Sequence, residues 1–473
     1  MRLFDSHAQA IREFQPIQPN RVGIYLCGPT VQGAPHVGHL RSALVYDILR
    51  NWFEINGTKV TLVRNVTDID DKVLENAKAS GEDWFALAYR FELEFNEAYR
   101  ALNIAAPSYE PRATASIPEM LELIDRLIEN GFAYVAEDAS GDVYFASAKW
   151  PSYGELTNQK LDDMANDDGA EGRGKRDPRD FALWKGRKAG EPETASWNTK
   201  FGAGRPGWHI ECSAMSTKYL GANFDIHGGG LDLRFPHHEN ELAQSRAAGD
   251  QFANYWLHNG LVNVNGQKMS KSLGNSIYAA DLLKAGSPLA VRYYLGSAQY
   301  RSVLDYHEGV LDEAQTAIDR ISAYLDRATR RLAGTKHEVS AVATLASLPA
   351  KFVEAMNDDL NVPAALAVLH ETVRLGNSAI DSDDLAAAAS ALASVSAILH
   401  VLNLDPRAEQ WGTSGDSAAI AALGQVIEML LEERRAARAN KDFAKADAIR
   451  DRLTAAGITI EDAAETTHWS LDG

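Results

Sequence analysis

The chain has 473 residues, 45% of them hydrophobic and 24% charged, which is typical of a globular protein of about three domains and excludes a fibrous or disordered chain. Its 47 Lys and Arg against 65 Asp and Glu give a net charge of −18, which argues against a general nucleic-acid coat but not against RNA held at local basic patches. The N-terminus has no apolar signal core, no apolar run approaches the ~18 residues of a membrane span, and there are only two cysteines. These features predict a reduced, cytoplasmic protein with no membrane segment.

The first elements alternate between strand and helix patterns. Residues 22–26 (VGIYL) and 60–63 form short apolar runs, and residues 40–54 between them place apolar side chains at helical spacing. Strand, helix and strand within ~45 residues indicate a βαβ unit in a parallel sheet covered by helices.

The rest of the chain divides by pattern. Residues 83–131 look helical, residues 132–207 form shorter pieces, and the polar, Gly-rich stretch 162–180 predicts a mobile surface loop. A second α/β stretch at 207–274 is followed by Ala-rich helices and a β-like run at 458–460. We therefore predict six segments, with boundaries at 1–105, 106–206, 207–275, 276–345, 346–405 and 406–473.

A first motif lies between the first strand and the first helix, at residues 35–39 (PHVGH). A helix N-terminus offers free N–H groups to phosphates, and His36 and His39 can donate hydrogen bonds as negative charge builds there. Gly38 allows a nucleotide ring to approach the backbone. The plainer interpretation is a helix start with two surface histidines.

A second motif, residues 268–272 (KMSKS), places Lys268 and Lys271 three residues apart in a Ser- and Gly-rich loop. Such a loop can hold a triphosphate that loses pyrophosphate. In isolation this motif would indicate a solvated turn. Its occurrence together with the first motif favours the phosphate-binding role.

A third pattern suggests a metal site. Cys27 ends the first strand, Cys212 lies in GWHIEC, and His237 and Glu241 share one face of a helix that Pro236 would start. Two thiolates, an imidazole and a carboxylate suit zinc, although no CxxC spacing supports it and two buried reduced cysteines are the alternative. His238 points elsewhere on that helix and is the weaker ligand candidate.

A fourth pattern is the Gly-rich run at 227–232 (HGGGLD), which follows the strand-like residues 224–226. Glycines at a strand end admit a ligand close to the backbone, and a carboxylate such as Asp232 can bind ribose hydroxyls. For the glycines alone, a bare tight turn would be the simpler explanation.

These four motifs, in this order, resemble those of class I aminoacyl-tRNA synthetases. Residues 35–39 resemble the HIGH motif with Val37 in place of Ile, and residues 268–272 match KMSKS. The stretches 25–31 (YLCGPTV), 65–72 (NVTDIDDK), 207–215 (GWHIECSAM) and 235–245 (FPHHENELAQS) resemble the cysteinyl-tRNA synthetase family in particular. The similarity covers essentially the whole chain, including residues 441–451.

The resemblance implies a Rossmann-like parallel-sheet catalytic core split by an insertion, an α-helical anticodon-binding region and a small C-terminal α+β segment. It also implies one Zn²⁺ per chain, Mg²⁺ with ATP, the partners ATP, L-cysteine and tRNA(Cys), and a monomer. The site residues it implies are Cys27, Cys212, His237 and Glu241 for the metal, His36, His39, Lys268 and Lys271 for catalysis, and Gly28, Thr30, Thr67, Trp208, Gly230, Asp232 and again Lys271 for cysteine and ATP.

Two other functions remain open from the sequence. An ATP-dependent ligase that joins cysteine to glucosaminyl-inositol in mycothiol synthesis shares these motifs but generally lacks the C-terminal extension. A non-catalytic zinc or nucleic-acid-binding module would have no use for the two lysines. The tail favours tRNA, because residues 430–453 carry seven basic and five acidic side chains, a local charge of +2, and Trp469 could stack on an anticodon base.

Overall fold

A computed structural model describes residues 1–158, 173–269, 273–339, 345–411, 416–462 and 467–471. The chain forms two compact units, Met1–Pro406 and Arg407–Gly473. The strands of the larger unit are β1 (Arg2–Asp5), β2 (Ala10–Glu13), β3 (Arg21–Leu26), β4 (Lys59–Arg64), β5 (Ala133–Val135), β6 (Val143–Phe145), β7 (Phe181–Gly186), β8 (Trp197–Thr199), β9 (Gly202–Pro206), β10 (Asn223–Gly230), β11 (Phe252–Asn259), β12 (Val262–Val264), β13 (Gln267–Lys268) and β14 (Leu304–Tyr306). Its helices are α1 (Val37–Ile55), α2 (Asp71–Ser80), α3 (Trp84–Ala101), α4 (Ile117–Glu129), α5 (Trp208–Leu220), α6 (Glu239–Ala247), α7 (Ala279–Ala285), α8 (Pro288–Gly296), α9 (Val310–Leu332), α10 (Ala350–Asn357), α11 (Val362–Asp381) and α12 (Leu385–Leu402).

The centre of the larger unit is a parallel sheet in the order β11-β10-β3-β4. The side chains of Ile24, Leu62 and Ile226 are buried in it, as expected for parallel strands covered on both faces. Helix α1 connects β3 to β4. The predicted βαβ unit and parallel α/β core are therefore confirmed, with each element one to four residues longer than its apolar run.

The insertion between the two halves of this sheet contains a second, antiparallel sheet in the order β5-β6-β7-β9-β8. The predicted loop at 162–180 lies outside the described residues up to 172. In its last part, residues 173–179 are half-buried or exposed and form neither helix nor strand, as a surface loop would. Asp180 is the exception, because its side chain is buried and accepts hydrogen bonds from the Tyr134 hydroxyl at 2.6 Å and the Ser147 N–H at 2.9 Å.

Helix α12 is the one helix in the described ranges that is long and apolar enough to cross a membrane by length and composition. The prediction that no segment meets this criterion was therefore wrong. The helix packs against α1, α9 and α11, and it buries Leu392, Val395 and Ile398 in that contact. Packing within the helical region accounts for its apolar character.

The smaller unit contains α13 (Asp416–Ala439), α14 (Phe443–Ala455) and the antiparallel hairpin β15 (Ile458–Asp462) and β16 (Thr467–Leu471). Its own core is formed by Ile427, Leu431, Ile449, Leu453 and Ile458. Trp469 packs against this core, and its indole N–H donates to Glu428 Oε1 at 3.3 Å. The predicted β-like run is thus one strand of a hairpin whose second strand the sequence interpretation did not identify.

Candidate functional site

A cavity of about 410 Å³ opens at the carboxyl ends of the central strands. Parallel strands gather their following loops at this edge, where ligands bind in open α/β sheets. Of the residues predicted for the site, twelve line it: Cys27, Gly28, Thr30, His36, His39, Thr67, Trp208, Cys212, Gly230, Asp232, His237 and Lys268. Glu241 is buried in contact with Cys27 and His237, and Lys271 lies outside the described residues.

The four predicted metal ligands converge from four elements. Cys27 follows β3, Cys212 lies in α5, His237 precedes α6 and Glu241 lies within α6. The two sulfur atoms are 3.7 Å apart, Cys27 Sγ is 3.4 Å from Glu241 Oε1, and His237 Nε2 is 3.0 Å from the same oxygen. All four side chains are buried.

This donor set fits a tetrahedral zinc ion. Two thiolates bonded at ~2.3 Å to one tetrahedral ion lie about 3.8 Å apart, which the two sulfurs match. His237 Nδ1 is 3.0 Å from His209 Nδ1, so its Nε2 faces the cluster as a metal-bound histidine requires. The Trp208 ring stacks on His237 with the ring centroids 4.3 Å apart.

A second group of possible donors shares two members with the first: Cys27 and Glu241 together with His227 and His238. His227 Nε2 is 2.8 Å from Glu241 Oε2, and His238 Nδ1 is 2.8 Å from His258 Nε2. Neither His227 nor His238 lines the cavity, whereas Cys212 and His237 do. The group around Cys212 is therefore the one that a substrate can reach.

The local backbone differs from the helix start predicted at Pro236. Residues 234–238 form a wide helical turn in which Phe235 is extended and its bond to Pro236 is cis, and α6 begins at Glu239. His237 and Glu241 still meet on one face.

The electrostatics of the cluster favour bound positive charge. Burial alone would raise the pKa of Cys212, but the hydrogen bond from Cys27 and the charge of His237 lower it to about 6. Burial alone would also raise the pKa of Glu241, which His227 and His237 lower to about 2. Burial opposes a charged His237, yet Glu241 and Cys212 raise its pKa to about 10. Without a metal, a proton on His237 partly balances two anionic groups.

At the other side of the cavity, His36 and His39 lie at the start of α1. His36 is the residue before the helix, its backbone N–H donates to His39 Nδ1 at 3.2 Å, and the two rings stack 3.6 Å apart. A Cβ at Gly38 would lie 3.1 Å from the His36 ring and 3.7 Å from Met269 Cε, so the two signature motifs approach each other here.

The glycines of 228–230 belong to β10 itself, so the interpretation as a tight turn is wrong. A Cβ at Gly228 would lie 2.2 Å from the Tyr46 ring, and a Cβ at Gly230 would lie 2.4 Å from Asp232 Oδ1. The glycines are needed because neighbouring side chains approach the strand closely.

Two residues of the site escaped the sequence interpretation. Asn65 Oδ1 accepts the Gly28 N–H at 2.8 Å, and the buried Glu211 carboxylate accepts the Thr67 hydroxyl at 2.8 Å. A Cβ at Gly28 would lie 1.6 Å from the Asn65 main-chain oxygen, so this contact requires glycine. Both residues lie inside motifs noted above, but only the fold shows that Asn65 lines the cavity and that Glu211 is buried behind Thr67.

Comparison with known protein families identifies the family of the chain. Residues 13–316 match the tRNA synthetases class I (C) catalytic domain, residues 351–403 match the DALR domain, and residues 421–469 match the cysteinyl-tRNA ligase anticodon binding domain. The chain belongs to the cysteinyl-tRNA synthetase family. Within it, the chain is 63% identical to the cysteine–tRNA ligase of Clavibacter sepedonicus over 481 aligned positions, which cover 100% of this chain and 99% of that one. It is 62% identical to the cysteine–tRNA ligase of Leifsonia xyli subsp. xyli, with the same coverage.

Solved structures support the class I fold of this synthetase family member. Mycobacterium tuberculosis methionyl-tRNA synthetase in complex with methionyl-adenylate superposes with a TM-score of 0.58 at 17% identity, covering 81% of this chain and 90% of that one. The expected parallel-sheet core and helical C-terminal region are thereby confirmed, and the activity of a class I ligase follows from the family.

Proposed function

We propose that this chain activates L-cysteine with ATP to cysteinyl-adenylate, releases pyrophosphate, and transfers the cysteinyl group to the 3′-terminal adenosine of tRNA(Cys). The observation that carries this proposal is a shared cavity: the two-thiol donor set around Cys212 opens onto the same space as His36, His39 and Lys268. A binding-only protein would not need phosphate-binding side chains beside a sulfur-rich donor set.

Cys27, Cys212, His237 and Glu241 would hold one Zn²⁺ per chain. An ion held there would supply a soft Lewis-acid centre that favours the thiolate form of a substrate thiol, which a serine hydroxyl cannot match at comparable strength. Trp208, stacked on His237, would close over the cysteine side chain. Thr30 and Thr67 would orient the amino acid, and the buried Glu211 side chain, which accepts the Thr67 hydroxyl, would hold Thr67 in place.

The remaining residues would serve the nucleotide. His36 and His39 would donate hydrogen bonds to the ATP phosphates, which would carry Mg²⁺, and Lys268 and Lys271 would neutralise the leaving pyrophosphate. Gly28 would allow the adenylate to approach the strand end, and Gly230 and Asp232 would contact the ribose. In the second step the 2′-hydroxyl of the tRNA adenosine would attack the activated carboxyl carbon and release AMP.

The anticodon-binding segment favours tRNA over a small sugar acceptor. The match at residues 421–469 is to an anticodon binding domain, which a ligase acting on glucosaminyl-inositol would not need. We also infer that the protein acts as a cytoplasmic monomer.

The test is one purified sample given three assays. Cysteine-dependent ATP–pyrophosphate exchange should be strong, serine should support it at least a thousandfold less well, and about one zinc per chain should be found. The same sample should charge tRNA(Cys) and leave glucosaminyl-inositol unmodified. Exchange without tRNA charging, together with ligation of the sugar, would refute the tRNA assignment.

A further inference from the structure

Arg41 is a buried cation that the proposed reaction does not use. It lies in α1 two residues after His39, and its side chain is 1% exposed. Its five acceptors are all main-chain carbonyl oxygens, of Gly260 at 3.0 Å, Leu261 at 2.8 Å, Gln299 at 3.3 Å, Tyr300 at 3.5 Å and Ser302 at 2.6 Å. A buried guanidinium is costly to desolvate, and here its hydrogen bonds join α1 to two separate segments, residues 260–261 and 299–302.

The carbonyls belong to two segments near the side of the cavity that His36, His39 and Lys268 line. Gly260 and Leu261 join β11 to β12, and the chain continues through β13 to Lys268 and Met269, which line the cavity. Residues 299–302 lead into β14, which pairs in parallel with β12. A Cβ at Gly260 would lie 2.2 Å from the Ser302 oxygen, so the two segments are in contact where Arg41 holds them.

The chain returns to the same place after the KMSKS motif. The Val37 N–H donates to the Ile277 oxygen at 2.9 Å, and the Ala279 N–H donates to the Pro35 oxygen at 2.8 Å. The chain is therefore attached before Lys268, through Arg41, and after it, through Pro35 and Val37. Both attachments lie on the stretch 35–41 that carries His36 and His39.

We propose that Arg41 is a positioning residue for adenylate formation, which fixes the start of the β12–β13 hairpin and so the placement of Lys268 relative to His36 and His39. The proposal rests on the proposed function. The expected consequence is selective: loss of Arg41 should disturb Lys268 relative to His36 and His39, whereas Cys27 and Cys212 are positioned by β3 and α5.

Arg292 provides a matched control. It is also 1% exposed, and its guanidinium donates to the carbonyls of Leu102, Asn103 and Leu402 and to Asp47, none of which is an acceptor of Arg41. Arg41→Lys and Arg292→Lys each remove a planar, multi-donor guanidinium from a buried position while keeping the charge. A purely structural role would leave kcat per folded enzyme unchanged in both variants, whatever Tm each of them loses.

We expect Arg41→Lys to lower kcat of cysteine-dependent pyrophosphate exchange at least tenfold, with KM for cysteine within twofold of wild type. Amide hydrogen exchange at residues 262–268 should rise in Arg41→Lys and stay unchanged in Arg292→Lys. If Arg41→Lys does not fold, Arg41→Gln, which keeps two N–H donors, takes its place. Equal kcat in the Arg41 and Arg292 variants, measured against an active wild type, would overturn the proposal, whereas an inactive wild type would instead overturn the proposed function.

Discussion

Cys27 and Cys212 approach the same point from a strand end and from a helix, which places their sulfur atoms 3.7 Å apart. His209 fixes the ring of His237, and His227 contacts the carboxylate of Glu241. Such contacts around the ligands orient the donor atoms and make the site rigid. The cluster is therefore prepared for a metal by the surrounding fold.

Removing one sulfur should empty the site without unfolding the chain. Cys212→Ser is expected to reduce zinc to well under half an equivalent per chain and to raise KM for cysteine at least tenfold, because a serine hydroxyl is a poor zinc ligand. Metal analysis and exchange kinetics measure both effects. Ser216→Ala, a buried change one turn further along α5, is the control and should leave both unchanged. Full zinc content with normal cysteine affinity in Cys212→Ser would contradict the assignment.

At the scale of elements, an ion-pair cluster connects the start of α2 to the antiparallel sheet of the insertion. Asp71 lies 2.6 Å from Lys185 Nζ in β7 and also pairs with Arg205 in β9, whose guanidinium is 3.3 Å from Glu191. Strand β9 ends directly before Gly207 and α5, which carries Trp208 and Cys212. The cluster thus ties the segment that follows Thr67 to the strand that precedes Trp208, and both of these residues line the cavity.

Neutralising Asp71 should weaken this connection. Burial alone would raise the pKa of Asp71, but Lys185 and Arg205 lower it to about 2. Because this value lies below the ~3.9 of an unfolded aspartate, the stabilisation is complete above about pH 5 and is lost as pH falls toward 2. Asp71→Asn should lower the free energy of unfolding by about 1–3 kcal/mol at pH 7.

Thermal unfolding at several pH values tests the predicted direction of this pH dependence. The Tm difference between Asp71→Asn and wild type should be largest at neutral pH and should shrink toward pH 3. Asp70→Asn is the control, because Asp70 only caps the Lys72 N–H and an asparagine can also cap a helix. A Tm difference that grows with falling pH would contradict the ion-pair explanation.

Helices and strands whose apolar residues recur at a regular spacing were predictable from the sequence. Elements that depend on contacts with distant residues were not. The apolar runs of β3 and β4 and the helical spacing of α1 each determine their own structure. The strands β5 to β9 are three to six residues long, and their pairing depends on neighbours far along the chain. In the same way the motifs located the cavity, but Asn65, Glu211 and Arg41 gain their roles only through contacts with residues that lie up to 261 positions away.

At the scale of the whole molecule, the larger and smaller units have separate hydrophobic cores. The cavity and all described site residues lie in the larger unit, before Gly274. The proposed chemistry of the amino acid and ATP can therefore be separated from the proposed contacts to the anticodon.

Deleting residues 407–473 should leave cysteine-dependent pyrophosphate exchange nearly unchanged, because no residue lining the cavity is lost. The same deletion should lower tRNA charging at least tenfold, since the basic stretch 430–453 and Trp469 are removed with it. Charging kinetics at limiting tRNA measure the loss. A full-length variant with Arg435→Glu and Arg438→Glu is a milder test of the same idea. It should weaken tRNA charging without affecting pyrophosphate exchange. Equal charging by truncated and full-length protein would exclude the smaller unit from tRNA binding.

The strand order β11-β10-β3-β4 also has a consequence for how the protein is made. Strands β3 and β4 leave the ribosome early, but β10, which covers the other edge of β3, follows about 200 residues later. At roughly 5–20 residues per second, that edge waits about 10–40 s for its partner, and Cys27 waits as long for Cys212. While the insertion is being synthesised, the nascent chain therefore exposes both the unpaired edge of β3 and the lone thiol of Cys27. During this time the chain is open to aggregation through the edge and to oxidation of the thiol.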